Sequence, residues 1–370
     1  MTPFDLIVVG AGPAGSTTAY LLSKRGMKVL LMEKATFPRE KVCGGMITLK
    51  TQQLLRRLFG EAFPPSFPSH RYRVFYKEKA VLSASSPYPF SLVRREEYDL
   101  LLLERAKEVG VRVMEGEEVV KVDPFKREVI TARGRRFSAG AIIGADGVRS
   151  RVRKALIERG LIPPQEGAVA LALQSFIGKG EDAPSLFFGL IPWGYGWVFP
   201  RGEGSVVGIM GLIPYGKGRY RSSPRELLGI VGADEASPAH AHLLPYGGFL
   251  PRPVWEGVFL VGDAAGLTDP ITGEGIFYAH RSAELLSEAL MGEFAEEVYC
   301  ESLRRHIFPE IIWARRVRGT FFRLMDKGMG YPLLAVLMKG LGGWLREGVH
   351  RGWKSTPFGR WFIRDGCQIE

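Results

Sequence analysis

The chain has 370 residues, 46% apolar and 24% charged, enough to bury a sizeable core without covalent staples. Cys43, Cys300 and Cys367 are odd in number and far apart, which fits neither a disulfide framework nor a zinc cluster. Apolar runs of about ten residues are too short to cross a bilayer, and a strand begins too early to leave room for a signal peptide, so a cytoplasmic protein is expected.

The formal charge of +11 is uneven: residues 314–370 hold 11 Lys/Arg against 4 Asp/Glu, mixed with Phe, Tyr and Trp. That mixture suits the inner face of the cell membrane, as a peripheral contact. A solvated Arg-rich cap with its aromatics packed inward explains it equally. No recognised nucleic-acid module accompanies the charge, which argues against a nucleic-acid partner. The chain has no Asn, five Gln, and 34 Arg against 16 Lys. Depletion of thermolabile amides leads us to expect a thermophilic source.

In chain order, residues 4–34 read as strand, glycine turn, helix and second strand. Gly10 permits the tight turn, Gly12 lets backbone approach a pyrophosphate, and Gly15 lets the helix pack on the sheet. The helix N-terminus offers unpaired N–H groups to phosphate. Glu33, 18 residues beyond Gly15, is placed for an adenosine ribose. A Gly-rich charged loop follows, then a helix near 48–58. Strands are expected at 71–76 and 80–83, and a helix over 95–109. Short strands VRVME, EVVKVD, EVITAR and AIIGADG are expected to return to the first sheet.

From about residue 168 the segments 168–177, 185–191, 195–200 and 204–212 read as an antiparallel sheet without intervening helices. Residues 258–263 return to parallel-sheet character and open a helix near Gly275; beyond 283 the chain reads as mostly helical. The fold class is α/β, with a Rossmann-like domain, an inserted antiparallel β-sheet substrate domain and a helical C-terminal region. The expected divisions are 1–70, 92–165 and 245–300 for the dinucleotide domain, 71–91 and 166–244 for the insert, and 301–370 for the helical region.

Two later motifs narrow the dinucleotide to FAD. Gly144-Ala145-Asp146-Gly147 follows a strand and precedes a basic helix start. Gly262-Asp263-Ala264-Ala265-Gly266 is followed by Gly273-Glu274-Gly275-Ile276, where Asp263 can reach a ribityl hydroxyl and a helix start can face phosphate or the flavin. In this order the three motifs resemble the para-hydroxybenzoate hydroxylase-like flavoprotein superfamily, to about residue 300. Within it, the stretches 37–45 (FPREKVCGG) and 192–200 (PWGYGWVFP) resemble the geranylgeranyl reductase family. Tyr195, Trp197 and Phe199 alternate, so they share one strand face, and such a face suits a polyprenyl chain.

The resemblance implies cofactor contacts for Gly10, Gly12, Pro13, Ala14, Gly15, Glu33, Lys34, Cys43, Gly44, Gly45, Asp263, Gly273, Gly275 and Ile276. It implies the same for Arg95, with adjacent Arg94 as the alternative, and for Val119 at adenine. Asp146 reads as structural. Tyr195, Trp197 and Phe199 become substrate contacts, with Tyr195 conceivable as a catalytic proton donor. Cys43 is read as shaping the flavin pocket, a reactive thiol or a disulfide with Cys300 being the alternatives. The six histidines show no metal-ligand spacing. The activity implied is saturation of prenyl C=C bonds on a lipid, diphosphate or quinone, with electrons from NAD(P)H or reduced ferredoxin; a basic surface suits an acidic ferredoxin. The rivals are a flavin monooxygenase or hydroxylase, and a non-catalytic flavin- or lipid-binding protein.

Overall fold

The computed structural model describes residues 4–60, 66–164, 169–216 and 218–356. The strands are β1 (Leu6–Val9), β2 (Val29–Met32), β3 (Met46–Ile47), β4 (Ser66–Tyr76), β5 (Lys79–Val93), β6 (Arg112–Met114), β7 (Val119–Asp123), β8 (Glu128–Thr131), β9 (Arg136–Ser138), β10 (Ala141–Gly144), β11 (Val169–Ile177), β12 (Ser185–Phe188), β13 (Gly194–Arg201), β14 (Gly204–Leu212), β15 (His240–Pro245), β16 (Val254–Trp255) and β17 (Val258–Leu260). The helices are α1 (Pro13–Ser23), α2 (Leu49–Phe59), α3 (Arg95–Glu108), α4 (Arg151–Glu158), α5 (Ile213–Gly216), α6 (Arg219–Val231), α7 (Ile276–Ala289), α8 (Ala295–His306), α9 (Phe308–Leu324) and α10 (Gly330–Arg351).

The first sheet runs β16-β17-β10-β1-β2-β6, parallel except at the β16–β17 edge. LIVV, VLLM and AIIG in β1, β2 and β10 are buried at every position, the unbroken apolar pattern of a parallel sheet covered on both faces. A buried hydrogen-bonded chain ties three helices beside it. His280 of α7 meets Thr17 of α1 at 2.7 Å and Tyr98 of α3 at 2.6 Å. Burial lowers the His280 pKa to about 3, so the imidazole is neutral.

Of the four strands expected to rejoin this sheet, only β6 and β10 do. Residues 119–123 pair with 128–131, which pair in turn with β9, in a separate three-stranded antiparallel sheet. Turn-linked strands pair with their sequence neighbours first, and here the neighbours were sufficient.

The second sheet has eight strands in the order β15-β11-β14-β13-β12-β4-β5-β3. It is antiparallel as expected, except that β12 joins β4 in parallel. The expected strand pair at 71–76 and 80–83 is the tip of a longer hairpin that runs from Ser66 to Val93. Helix α6, absent from the sequence reading, covers the back of this sheet. Leu227 and Val231 pack there with Val198, Val207 and Ile209. Trp197 and Phe199 alternate with Val198 and so face the other way, with Met210 and Tyr246.

The C-terminal region is helical, with α9 joined to α10 by a π-helical turn over Met325–Met329. Trp353, beyond α10, is 1% exposed, and its indole N–H donates to Asp269 at 2.9 Å. Among the described residues no helix is long and apolar enough to cross a membrane.

Candidate functional site

One cavity of about 1390 Å3 lies between the two sheets and reaches α10. It exceeds the roughly 300–1,000 Å3 of a single-ligand pocket, so there is room for a cofactor and a second molecule.

At one end the backbone dictates the shape. Gly10 has φ +98°, and a Cβ there would sit 2.6 Å from the Ala145 carbonyl oxygen. A Cβ on Gly15 would sit 1.8 Å from the Gly10 oxygen, so α1 packs only where a hydrogen replaces a methyl. Gly15 itself lies behind the wall, while Gly10, Gly12, Pro13 and Ala14 line the cavity. A Cβ on Gly12 would meet nothing nearer than the Arg39 guanidinium at 3.9 Å. The space before the first turn of α1 is therefore open, and that turn presents N–H groups without intrahelical partners.

Glu33 is 7% exposed, and its carboxylate accepts from Ala11 N at 2.8 Å and Ala35 N at 3.1 Å. Two backbone amides fix it, and a carboxylate has further lone pairs for a ligand. Lys34 and Val119 line the same end. Asp146 accepts from Arg151 N at 2.6 Å at the start of α4, and it also lines the cavity, where its Oδ1 is buried without a partner.

The middle of the cavity gathers charge. Arg95 grips Asp99 with two hydrogen bonds of 2.9 Å, and Arg39 reaches the same carboxylate at 3.2 Å. Asp99 is fully buried, and two guanidiniums compensate it. Arg94 instead pairs with Glu97 at 3.3 Å and is 43% exposed, so Arg95 is the arginine on the cavity. Arg39 Nε is buried without a partner. An orphaned guanidinium N–H beside the open space at Gly12 fits an anionic dinucleotide. Asp263 also lines the cavity; burial pushes its carboxyl above the usual range, and Thr268 donates to it at 3.2 Å. Gly275 caps α7, and a Cβ there would stand 3.1 Å from Asp263 Oδ1. Gly273 and Ile276 complete this edge.

Cys43, Gly44 and Gly45 form the bridge between the two ends. Cys43 and Cys300 are both free, so the disulfide alternative is excluded; Cys367 lies outside the described residues. Gly45 has φ +73°, and its missing side chain accommodates the Val93 carbonyl. A Cβ on Gly44 would be 2.7 Å from the Phe199 ring, so this loop lies directly on the aromatic strand.

The opposite wall is β13. Tyr195, Trp197 and Phe199 line it together, as their alternation requires. The Trp197 indole lies across Gly208, where a Cβ would be 2.3 Å from Cζ2. Its Nε1 is buried without a partner. Tyr195 donates its hydroxyl proton to the Thr272 carbonyl, and burial pushes its pKa above the usual phenol value. Met338, Val349 and Trp353 close the far side from the C-terminal region.

Among the cavity residues that the sequence did not single out are Arg39, Lys41 and His242. The first two lie in the loop whose family likeness drew notice to Cys43 and the glycines. His242 carries no local signal; only the strand register brings it to the cavity.

A family model described as an FAD binding domain matches residues 4–169. The menaquinone reductase of Mycobacterium tuberculosis is 31% identical, over 77% of this chain and 76% of that protein. The geranylgeranyl diphosphate reductase of Rhodobacter capsulatus is 29% identical, over 78% and 75%. The crystal structure of a geranylgeranyl bacteriochlorophyll reductase-like protein from Thermoplasma acidophilum superposes with a TM-score of 0.75 at 19% identity, covering 97% of this chain and 95% of that one. The fold recurs in flavin-dependent halogenases at 16–18% identity, so architecture alone does not define the reaction. An FAD-binding region, a cavity shared by two walls and these relatives agree: the chain belongs to the geranylgeranyl reductase family of FAD-dependent oxidoreductases.

Proposed function

We propose that the protein saturates C=C bonds in a prenyl group carried by a lipid, diphosphate or quinone. The observation that carries this reading is the aromatic face of β13, which lines the same cavity as the α1 N-terminus and Asp263. An isoprenoid offers no hydrogen-bonding groups along its length, so a wall of rings and Met210 can hold it by dispersion and exclusion of water. Reductase names among the relatives support the same reaction class.

The α1 N-terminus, Arg39 and Arg95 would hold the cofactor's phosphates and ribityl chain, with Glu33 at the ribose and Asp263 at a ribityl hydroxyl. When bound, reduced FAD supplies the hydride for alkene reduction. Tyr195, Trp197 and Phe199 orient the alkene, and loop 37–45 with Trp353 excludes water from the reacting centre. The electron donor is NAD(P)H or reduced ferredoxin. Membrane contact belongs to this proposal in a sharper place than 314–370. Met329, Tyr331 and Val336 are 48%, 40% and 70% exposed around the start of α10, while Met338 of the same helix lines the cavity. A lipid surface there would put substrate beside the cavity.

The test is anaerobic reoxidation of the photoreduced protein by prenyl substrates, with mass analysis of the product. A gain of two hydrogens per double bond is expected. Incorporation of oxygen in air, with no anaerobic turnover, would identify a monooxygenase instead.

A further inference from the structure

The C-terminal region reaches back to the cofactor side of the cavity through one side chain. Helix α10 ends at Arg351, Gly352 turns the chain with φ +93°, and Trp353 folds back against its own helix. A Cβ on Gly348 would stand 2.3 Å from the indole, so only glycine there leaves room for it. Trp313 of α9 packs against the same ring, 4.8 Å between centroids. Glu310 of α9 accepts the backbone N–H groups of Trp353 and Lys354, the latter at 2.9 Å. Three residues before Trp353, His350 accepts the Leu49 N–H through Nδ1 at 3.4 Å. Its Nε2 then carries the proton and donates to Ser86 Oγ at 3.2 Å.

The indole N–H meets the carboxylate that organises the turn before α7. Asp269 is 1% exposed; its Oδ1 accepts the Ile271 and Thr272 N–H groups, both at 2.8 Å, and its Oδ2 accepts from Trp353 at 2.9 Å. Backbone bonds close the turn: Asp269 N–H donates to the Glu274 carbonyl at 3.0 Å, and Gly273 N–H to the Asp269 carbonyl at 2.9 Å. Residues 271–275 then line the cavity, where Gly273 and Gly275 are cofactor positions. Tyr246 and Tyr195 also hold this turn, by donating to the Ile271 and Thr272 carbonyls. Those acceptors are neutral. Hydrogen bonds to a carboxylate are about twice as strong, and this carboxylate fixes two amides of the turn at once.

We infer that Trp353 is a positioning residue for FAD. By completing the donors around Asp269 it fixes the 269–275 turn, whose backbone faces the flavin. The cofactor site is therefore complete only when segment 350–356 is docked on Glu310. This role goes beyond the prenyl-reductase reading and holds whatever substrate is reduced.

The full-length, FAD-loaded protein tests it. Trp353→Phe keeps an aromatic ring and removes the N–H. FAD release on dilution, followed by the rise in flavin fluorescence, should become about tenfold faster or more. The visible absorption bands of the flavin still bound should shift, because the backbone beside it moves. Glu310→Gln touches neither the turn nor the cavity and leaves one acceptor oxygen for the two N–H groups of Trp353 and Lys354. It should speed release in the same direction, and it serves alone if Trp353→Phe does not fold. Added to Trp353→Phe it should change release little further, since both substitutions break one connection. Release within about twofold of the parent and unshifted bands, even with a lower melting midpoint, would reduce Trp353 to a packing residue and overturn the role. Fully additive effects of the two substitutions would also overturn it, because Glu310 would then act on FAD by another route.

Discussion

The two walls of the cavity are built by opposite means. The dinucleotide wall is local: Gly10 to Glu33 make a strand, a turn, a helix and a strand, and its key features are absences of side chains. The facing wall is collected from β11, β13, β14 and β15, which are brought together only by strand pairing. Backbone clearance governs the first wall, side-chain identity the second. Damage to the first should remove cofactor and fold together, whereas damage to the second should spare the cofactor and change what is bound beside it.

The largest expected effect is at Gly15. A Cβ there would lie 1.8 Å from the Gly10 carbonyl oxygen and 3.1 Å from Ala145 Cβ. Each neighbour directly follows a buried strand, Gly10 after β1 and Ala145 after β10, so neither yields cheaply. Gly15→Ala should cost about 3 kcal/mol or more and yield protein without bound flavin. Thermal unfolding and the flavin absorbance of purified protein measure this directly. A variant that keeps full flavin occupancy and an unchanged melting midpoint would show that backbone clearance does not control this wall.

The same contrast explains what was legible in the sequence. Glycine spacing and the following acid identified the first wall because each constraint acts within 34 residues. Tyr195, Trp197 and Phe199 were legible as a face because alternation is a local property of a strand. The paths of 119–123 and 128–131 were not, since a short apolar strand fits either sheet and only its neighbours decide. Helix α6 was missed because RYRSSPRELLGIV contains Pro224 and few apolar residues before its last turn. His242 and Lys41 are 201 residues apart, and no sequence period joins them.

A smaller effect, on the second wall, comes from Gly208→Ala. The added methyl would meet Trp197 Cζ2 at 2.3 Å and the Leu173 oxygen at 2.7 Å. The indole is bounded by the Gly44 loop and has to turn into the cavity. Destabilisation of about 1–3 kcal/mol is expected, with flavin retained and prenyl reduction slowed at least tenfold, about 1.4 kcal/mol in the barrier. Loss of flavin in parallel with activity would contradict the separation of the walls.

The smallest effect decides a role. Tyr195 gives its proton to the Thr272 carbonyl, and its ring sits 5.9 Å from Phe188 and 6.2 Å from Trp197 between centroids. Tyr195→Phe keeps that ring and loses one hydrogen bond, worth about 1 kcal/mol net. A residue that only lines the wall should then leave turnover within about threefold of the parent, with most of the loss in stability. A general acid contributes about 100-fold or more, so a fall of that size would make Tyr195 the proton donor. Its raised pKa and committed hydroxyl argue for the wall: a phenol that holds its proton more tightly, and already directs it at a carbonyl, is poorly placed to release it to carbon.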